Sequence, residues 1–539
     1  MRRGTIQGGA PPGRVLVRIG TVACVGAALA VLGTLGQVSA ASTNGGNVAA
    51  VAKTFASIEG APRYAQASWG YQVSDLTSGK VLLAQNQRKM FDPGSTMKIY
   101  SVSTALRAYG PNYRFVTPVY RDGSVAGGTL TGNLILVGSG DMSLGLREQP
   151  NGTMYYESLP NIDQSYAAEL PGAVEPPGNP LSGLDQLAAM VRASGITQVN
   201  GNVVLDDRLF NSYTFPDGLV SPIWVNENLI DLLVSPSAVG QPASINWRPM
   251  TASYTVNDQV TTVASKDPTS LNVTEPVPGT LDVTGQIALG SAPTLQTWNV
   301  DDPSAFARTA FIEALQEAGV SVTAAATGPN PESALPPKGS LPPSDMIGQH
   351  VSATLSQFAT LILKVSYNRG ADLMTCLAAV KAGSTDCGKG LAAEVKTANA
   401  LGVPSSSVIP FDGAGSDDQG RTTPGALATF LRSAATTSFG KVLFYALPVL
   451  GRNGTLANVD SNSPAAGHAQ VKTGNRVVQS PSGQNIVLGN SLAGYAETKS
   501  GRRVVFMIAV GNVPISNPEV FNTIVADQAR MVVAIQQGL

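Results

Sequence analysis

Histidine is almost missing from this 539-residue chain. The only two, His350 and His468, are far apart and neither sits in an HExxH context, which argues against a zinc hydrolase. Charge is scarce as well: 13% of residues are Asp, Glu, Lys or Arg, about half the usual share. The two signs balance, 35 basic against 36 acidic, leaving a net charge of −1. That balance provides no basic footprint for nucleic acid and no acidic tail. Cysteine appears three times, and beyond the N-terminal region no apolar run reaches the roughly eighteen residues of a membrane span. What is present is a 43% hydrophobic composition, the opposite of a disordered chain. Glycine (57) and proline (36) are abundant, which points to turns and strands rather than a helical bundle. The length allows two to four domains.

The N-terminus reads as an export signal. Arg2, Arg3, Arg14 and Arg18 precede an apolar stretch from Ile19 to about Leu35, and Val38-Ser39-Ala40 offers a small-residue cleavage site after Ala40. The same run is nearly long enough for an uncleaved anchor, so residues 1–40 are a signal peptide or an anchor. Either way, the remainder is expected outside the cytoplasm, in a periplasm or cell-wall space. Cleavage removes Cys24 and leaves Cys376 and Cys387, eleven positions apart. In an exported chain such a pair reads as one disulfide; the other reading is two free buried thiols.

Residues 70–84 read as a hairpin around Thr77-Ser78-Gly79. After Asp92-Pro93-Gly94 a helix is expected from Ser95, with Met97, Ile99, Val102, Ala105 and Leu106 as its apolar stripe. From about 118 to 345 the texture turns to short strands and glycines, with helices near 184–193 and 303–318 and a long loop over 145–182. Residues 350–380 read as helical with a break near 366–370. The last third alternates strand and helix and ends in strands 490–497 and 503–510 and an amphipathic helix, 517–537.

Ser95-Thr96-Met97-Lys98 opens a helix with a hydroxyl and an amine on one face. A serine needs a base to attack a carbonyl, and a desolvated lysine serves where histidine is absent. The pattern recurs at Ser438–Lys441, so order has to choose. Ser366-Tyr367-Asn368 is a Ser-x-Asn, a triplet that also occurs at Ser42, Ser244 and Ser270. Lys472-Thr473-Gly474 lies on a strand, whereas its decoy Lys499-Ser500-Gly501 is a hairpin tip. Order, spacing and the expected local structure together select Ser95, Ser366 and Lys472, and Ser438 fails because no Ser-x-Asn follows it before Lys472.

This trio resembles the penicillin-recognising acyl-serine enzymes, with their Ser-x-x-Lys, Ser-Asp-Asn and Lys-Thr-Gly motifs. Ser366 lies 271 residues after Ser95, far more than a compact β-lactamase needs. The chain therefore looks like the D-alanyl-D-alanine carboxypeptidase/endopeptidase family, the class C low-molecular-mass penicillin-binding proteins. The resemblance extends to Leu136–Asp141, Val199–Asp206, Phe411–Gly415 and Gly494-Tyr495. It departs where Ser-Asp-Asn becomes Ser-Tyr-Asn and where the acidic residue four after Asn368 is Asp372 rather than Glu.

The resemblance implies an α+β fold: a β-lactamase/transpeptidase-like domain, an antiparallel sheet flanked by helices, interrupted by a large β-rich insert. The expected division is 41–117 and 348–539 for the catalytic domain and 118–347 for the insert, with a second unit at about 207–295 nested in it. The implied activity is a serine DD-peptidase acting on peptidoglycan stem peptides, with β-lactams as covalent inhibitors and no metal or organic cofactor. A peripheral contact with membrane or cell wall is among the expected partners. Residue by residue, Ser95 is the implied nucleophile, Lys98 its base, Ser366 a proton relay beside Lys472, and Asn368 the holder of the substrate amide carbonyl. Thr473 and Lys472 would bind the terminal carboxylate. The N–H groups of Ser95 and Asn475 would form an oxyanion hole, and the strand carrying Gly474 would pair with the peptide. Asp141 is expected either to meet the amine of a diamino acid or to cap a turn. A β-lactamase and a catalytically idle penicillin-binding sensor or scaffold are the competing functions.

Overall fold

The computed structural model describes residues 45–149, 151–158, 162–168 and 170–539. The expected signal segment lies outside these residues. The ends of the described chain meet in one antiparallel six-stranded sheet. Its order is Val81–Gln85, Ser68–Asp75, Arg503–Gly511, Asn485–Glu497 and Ala469–Gln479, with Val513–Ile515 pairing beside Asn485–Glu497. Alternation explains the pairing: Trp69, Tyr71 and Val73 are buried and face Val510, Ile508 and Phe506 in register. Helices Gly45–Glu59 and Pro518–Gly538 cover this side, where Val51 and Phe55 share a core with Ile524, Val532 and Ile535.

The other side carries helices Lys98–Tyr109, Leu355–Lys364, Asn368–Lys381, Gly388–Ala400 and Pro424–Ala434. Thr423 begins the last of these by accepting from Ala426 N at 3.1 Å, an N-cap that satisfies an otherwise orphaned donor. Cys376 and Cys387 form a buried disulfide between the second-last pair of helices.

Between Tyr109 and Leu355 the chain builds separate sheets. The largest runs Ser321–Val322, Gln198–Asn200, Thr129–Val137, Arg114–Ala126 and Met346–Thr354, with Val203–Asp206 alongside Thr129–Val137. Helices Ser182–Ala193 and Pro303–Glu317 pack on it through Leu184, Leu187, Phe306 and Phe311. Two three-stranded sheets follow, one centred on Leu229–Ser235 and one on Thr280–Ala288.

Residues 350–354 are strand, not the helix expected there: His350 pairs with Thr117 and Val351 with Val116, so the entering and leaving chains are hydrogen-bonded together. Long-range pairing overrides the local helical pattern at this point. The 145–182 stretch is largely turns, as expected, with a two-stranded ribbon of Ile162–Asp163 and Ala173–Val174. Phe115, Phe210, Phe215 and Trp224 from this middle region belong to the same core as Phe358, Leu373 and Phe430. Among the described residues no helix is long and apolar enough to cross a membrane.

Candidate active site

Ser95 lies in a 3-10 turn, Gly94–Met97, that runs into the helix from Lys98. The α-helix therefore begins three residues later than the sequence suggests, after a turn entered through Gly94 with a positive φ of 48°. Lys98 is fully buried beneath Ser95. Its Nζ is 2.8 Å from Ser95 Oγ and donates to Asn368 Oδ1 at 2.6 Å and to the Ala414 carbonyl at 2.9 Å. Burial pulls the amine down to about 8, and Asp217, Asp372 and Asp412 partly oppose that pull.

Two of these carboxylates also build the loop that supplies the Ala414 carbonyl. Asp412 accepts from the backbone N–H groups of Gly415, Ser416 and Asp417, and Asp372 Oδ1 accepts from Gly413 N at 2.8 Å. Gly415 allows the loop to touch the Ser95 turn, since a Cβ there would stand 1.9 Å from the Gly94 carbonyl oxygen.

Across the cleft, Ser366 lies at the middle of the short segment between helices Leu355–Lys364 and Asn368–Lys381, with a left-handed φ of 64°. Lys472 Nζ donates to Ser366 Oγ at 2.9 Å and to the Thr473 carbonyl at 2.8 Å. Burial, reinforced by the charge of Lys98, holds the Lys472 amine well below its ordinary value. Gly474 is buried where a Cβ would meet the Pro93 carbonyl oxygen at 2.0 Å. Only glycine lets the Lys472 strand lie this close to the Ser95 turn. Ser491 ties the junction, donating to the same Pro93 oxygen at 2.6 Å.

A cavity of about 520 Å³ opens above these groups and is lined by Ser95, Ser366, Asn368, Thr473 and Asn475. Its far wall includes Tyr166 and Asp217 from the middle region, and Thr455, whose hydroxyl is 3.2 Å from that of Thr473. Lys364, two residues before Ser366, is buried and donates to the Leu447 carbonyl and to Asn453 Oδ1, anchoring the loop that carries Thr455. Among the described residues no group of His, Cys, Asp and Glu side chains is arranged to hold a metal ion.

The structure thus brings together Ser95, Lys98, Ser366, Asn368, Lys472, Thr473 and Asn475, with Gly474 packed beneath. Asp141 is different. It does not line this cavity; it is 2% exposed, accepts from Ser143 N and Oγ at 2.7 Å each, and bonds His350 Nδ1 at 2.8 Å. Of the two expectations for Asp141, the turn cap is the one its contacts fit. His468 lines a separate groove with Tyr445 and Arg503. Sequence reasoning missed Tyr166, Asp217 and Asp412. Only Asp412 had a local signal, the Phe411–Gly415 segment.

The antiparallel sheet, the helices on both its sides and the paired Ser–Lys groups make this a transpeptidase/β-lactamase-like fold. The chain superimposes on penicillin-binding protein 4 from Haemophilus influenzae with a TM-score of 0.66 at 18% identity, covering 91% of this chain and 99% of that one. It belongs to the D-Ala-D-Ala carboxypeptidase 3 (S13) family, whose model matches residues 51–531. The D-alanyl-D-alanine carboxypeptidase of Actinomadura sp. (strain R39) is 24% identical over 434 residues, 75% of this chain and 72% of that protein. The penicillin-sensitive carboxypeptidase A of Dictyostelium discoideum is 23% identical over 468 residues, 82% of each. The protein is a serine-type DD-peptidase. Cell-wall enzymes of this family act outside the cytoplasm.

Proposed function

We propose that this enzyme hydrolyses the peptide bond after a D-alanyl carbonyl in peptidoglycan stem peptides, through an acyl-enzyme on Ser95. One observation carries the reading. A neutral lysine has two N–H bonds and one lone pair, and Asn368 Oδ1 and the Ala414 carbonyl accept both N–H bonds of Lys98. The lone pair then faces Ser95 Oγ, 2.8 Å away, where it takes the hydroxyl proton as the oxygen attacks.

The tetrahedral oxyanion would be received by the backbone N–H groups of Ser95 and Asn475; losing one such donor costs about 2.7–4 kcal/mol. Ser366 Oγ, in contact with Lys472 Nζ, would pass a proton to the leaving amine. Thr473, whose hydroxyl lies on the cavity wall, would hold the terminal carboxylate above the buried Lys472. Asn368 would orient the substrate amide. Release of free D-alanine and cleavage of a D-alanyl cross-link use the same steps, since both bonds follow a D-residue carbonyl.

β-Lactams would acylate the same serine; a β-lactam complex is known for the Haemophilus influenzae protein, which shares this fold. Residues 1–40 would direct export, and the split catalytic domain would close around the 118–347 insert. A short incubation with fluorescent penicillin should label wild type and spare Ser95→Ala. Equal labelling of both would overturn the nucleophile assignment. A mass-spectrometric digest of cross-linked muropeptides would then divide carboxypeptidase from endopeptidase products.

A further inference from the structure

Ser366 is held in a left-handed conformation that a non-glycine residue resists. The side chain that bonds its carbonyl oxygen comes from the insert. Tyr166 Oη donates to the Ser366 carbonyl oxygen and lies 3.3 Å from Asn368 Oδ1, the oxygen that also accepts a hydrogen bond from Lys98. The turn that presents Tyr166, Gln164–Tyr166, is capped by Asp163, which accepts from Ser165 N at 3.1 Å and Ser165 Oγ at 2.9 Å.

The same Asp163 carboxylate receives Arg147 as a fork, at 2.8 and 2.9 Å. Arg147 Nε donates to the Glu227 carboxylate, and the Glu227 main-chain carbonyl accepts from Arg369 at 2.7 Å. Arg369 adjoins Asn368, so the chain of contacts closes on itself around the Ser366–Asn368 motif. The ring is also strained, and its ionic groups are buried. Asn226, Glu227 and Asn228 have φ of 50°, 55° and 54°, and Arg147 has 69°. The side chains of Arg147, Asp163 and Glu227 are at most 2% exposed.

A buried ion triad is a poor device for stability alone, because well-packed apolar residues usually do as well or better. Its geometry, however, is directional. We propose that Arg147 is a positioning residue for the peptidase reaction, fixing Ser366 and Asn368 against Lys472 and Lys98 through Asp163–Tyr166 on one side and Glu227–Arg369 on the other. The insert then completes the catalytic geometry rather than only decorating the fold. Without the ring Ser366 relaxes toward negative φ, and its hydroxyl swings away from Lys472 Nζ. This rests on the roles given to Ser366 and Asn368 above.

The test compares Tyr166→Phe, Arg147→Met, the double variant, and Val283→Ala, a core change in the sheet centred on Thr280–Ala288. Readouts are the second-order rate of penicillin acylation, kcat and KM for D-alanine release, and Tm. Tyr166→Phe should lower acylation about tenfold at unchanged Tm, the scale of one well-aligned hydrogen bond. Arg147→Met should lower it by about 100-fold or more, mainly in kcat, and adding Tyr166→Phe should cost little more. Val283→Ala should lower Tm yet keep rates within about twofold. Should Arg147→Met fail to fold, Arg147→Met/Asp163→Asn/Glu227→Gln leaves no stranded charge and should fold with the same rate loss. Wild-type rates in Tyr166→Phe, or rates that merely follow Tm in the Arg147 and Val283 variants alike, would overturn the proposal. Ser95→Ala is assayed in parallel: labelling of that variant overturns the function assignment itself, a distinguishable failure.

Discussion

Lys98 Nζ stands 2.8 Å from Ser95 Oγ at the floor of the cleft, with its other polar contacts made to two oxygens that accept and never donate. That arrangement favours a neutral amine as base, and burial moves the titration of Lys98 into an accessible range, to about 8. A histidine would add nothing to it, which fits a chain that has so few.

The first prediction concerns pH. With deprotonated Lys98 as the proposed base, the rate of penicillin acylation should rise with pH and level off above about 8. Lys98→Arg should lower the rate by about 10²–10⁴-fold and remove the inflection, since a guanidinium keeps its proton throughout. Stopped-flow acylation between pH 5 and about 10 is the measurement. A flat wild-type profile would count against Lys98 as base.

The second concerns Ser366, whose φ of 64° separates backbone strain from hydroxyl chemistry. Ser366→Ala and Ser366→Gly should both lose about 10²-fold or more in kcat for D-alanine release, because both lack the proton relay. Only the glycine variant relieves the left-handed backbone, worth about 1 kcal/mol, so its Tm should exceed that of the alanine variant. If either variant keeps wild-type kcat, the relay assignment falls.

The third concerns Asp141 and His350. Burial lowers the imidazole pKa, but Asp141 and Glu148 outweigh it, leaving His350 raised above 6.5. A raised folded value means the pair stabilises most at pH below 6.5 and loses its contribution as pH climbs through the folded value. Wild type should thus exceed Asp141→Asn by about 2 kcal/mol in acid, a charge-assisted bond, with the gap narrowing in alkali. Urea titrations at several pH values measure this. The ratio of activities on substrates with and without a diamino acid should not move; a change in that ratio would return Asp141 to substrate recognition.

The fourth concerns the disulfide between Cys376 and Cys387, which closes a loop eleven residues long. Replacing both cysteines with alanine should cost roughly 2–3 kcal/mol on the chain-entropy account. Acylation rates should stay near wild type, because the bridge joins two helices behind the site. Chemical denaturation with and without reductant should show the same shift in wild type and none in the variant.

Much of this enzyme was readable without coordinates. Helix and strand signals act over a few residues, so the hairpin after Gly70 and the strands flanking Lys499–Gly501 stand where pattern places them, and the helix behind Ser95 is displaced only at its start, to Lys98. Pattern failed at 350–354, where pairing with the Arg114–Ala126 strand decides the outcome. It was silent on Tyr166, a lone tyrosine in a turn-rich stretch, because nothing local marks a side chain that reaches a backbone carbonyl 200 positions away.

The scarcity of histidine, and the order and spacing of Ser95, Ser366 and Lys472, were enough by themselves to point to one candidate chemistry, a serine activated by lysine, in a chain with a long segment between its motifs. Three residue types at three spacings carry that information, and spacing along the chain is all it needs. Tertiary structure decided which groups face one another and which are dry. It lowered Lys98 and Lys472 by burying them, turned Asp141 inward to His350, and brought Arg147, Glu227 and Tyr166 around Ser366. Desolvation and long-range contacts arise only when distant segments pack, so no local pattern contains them.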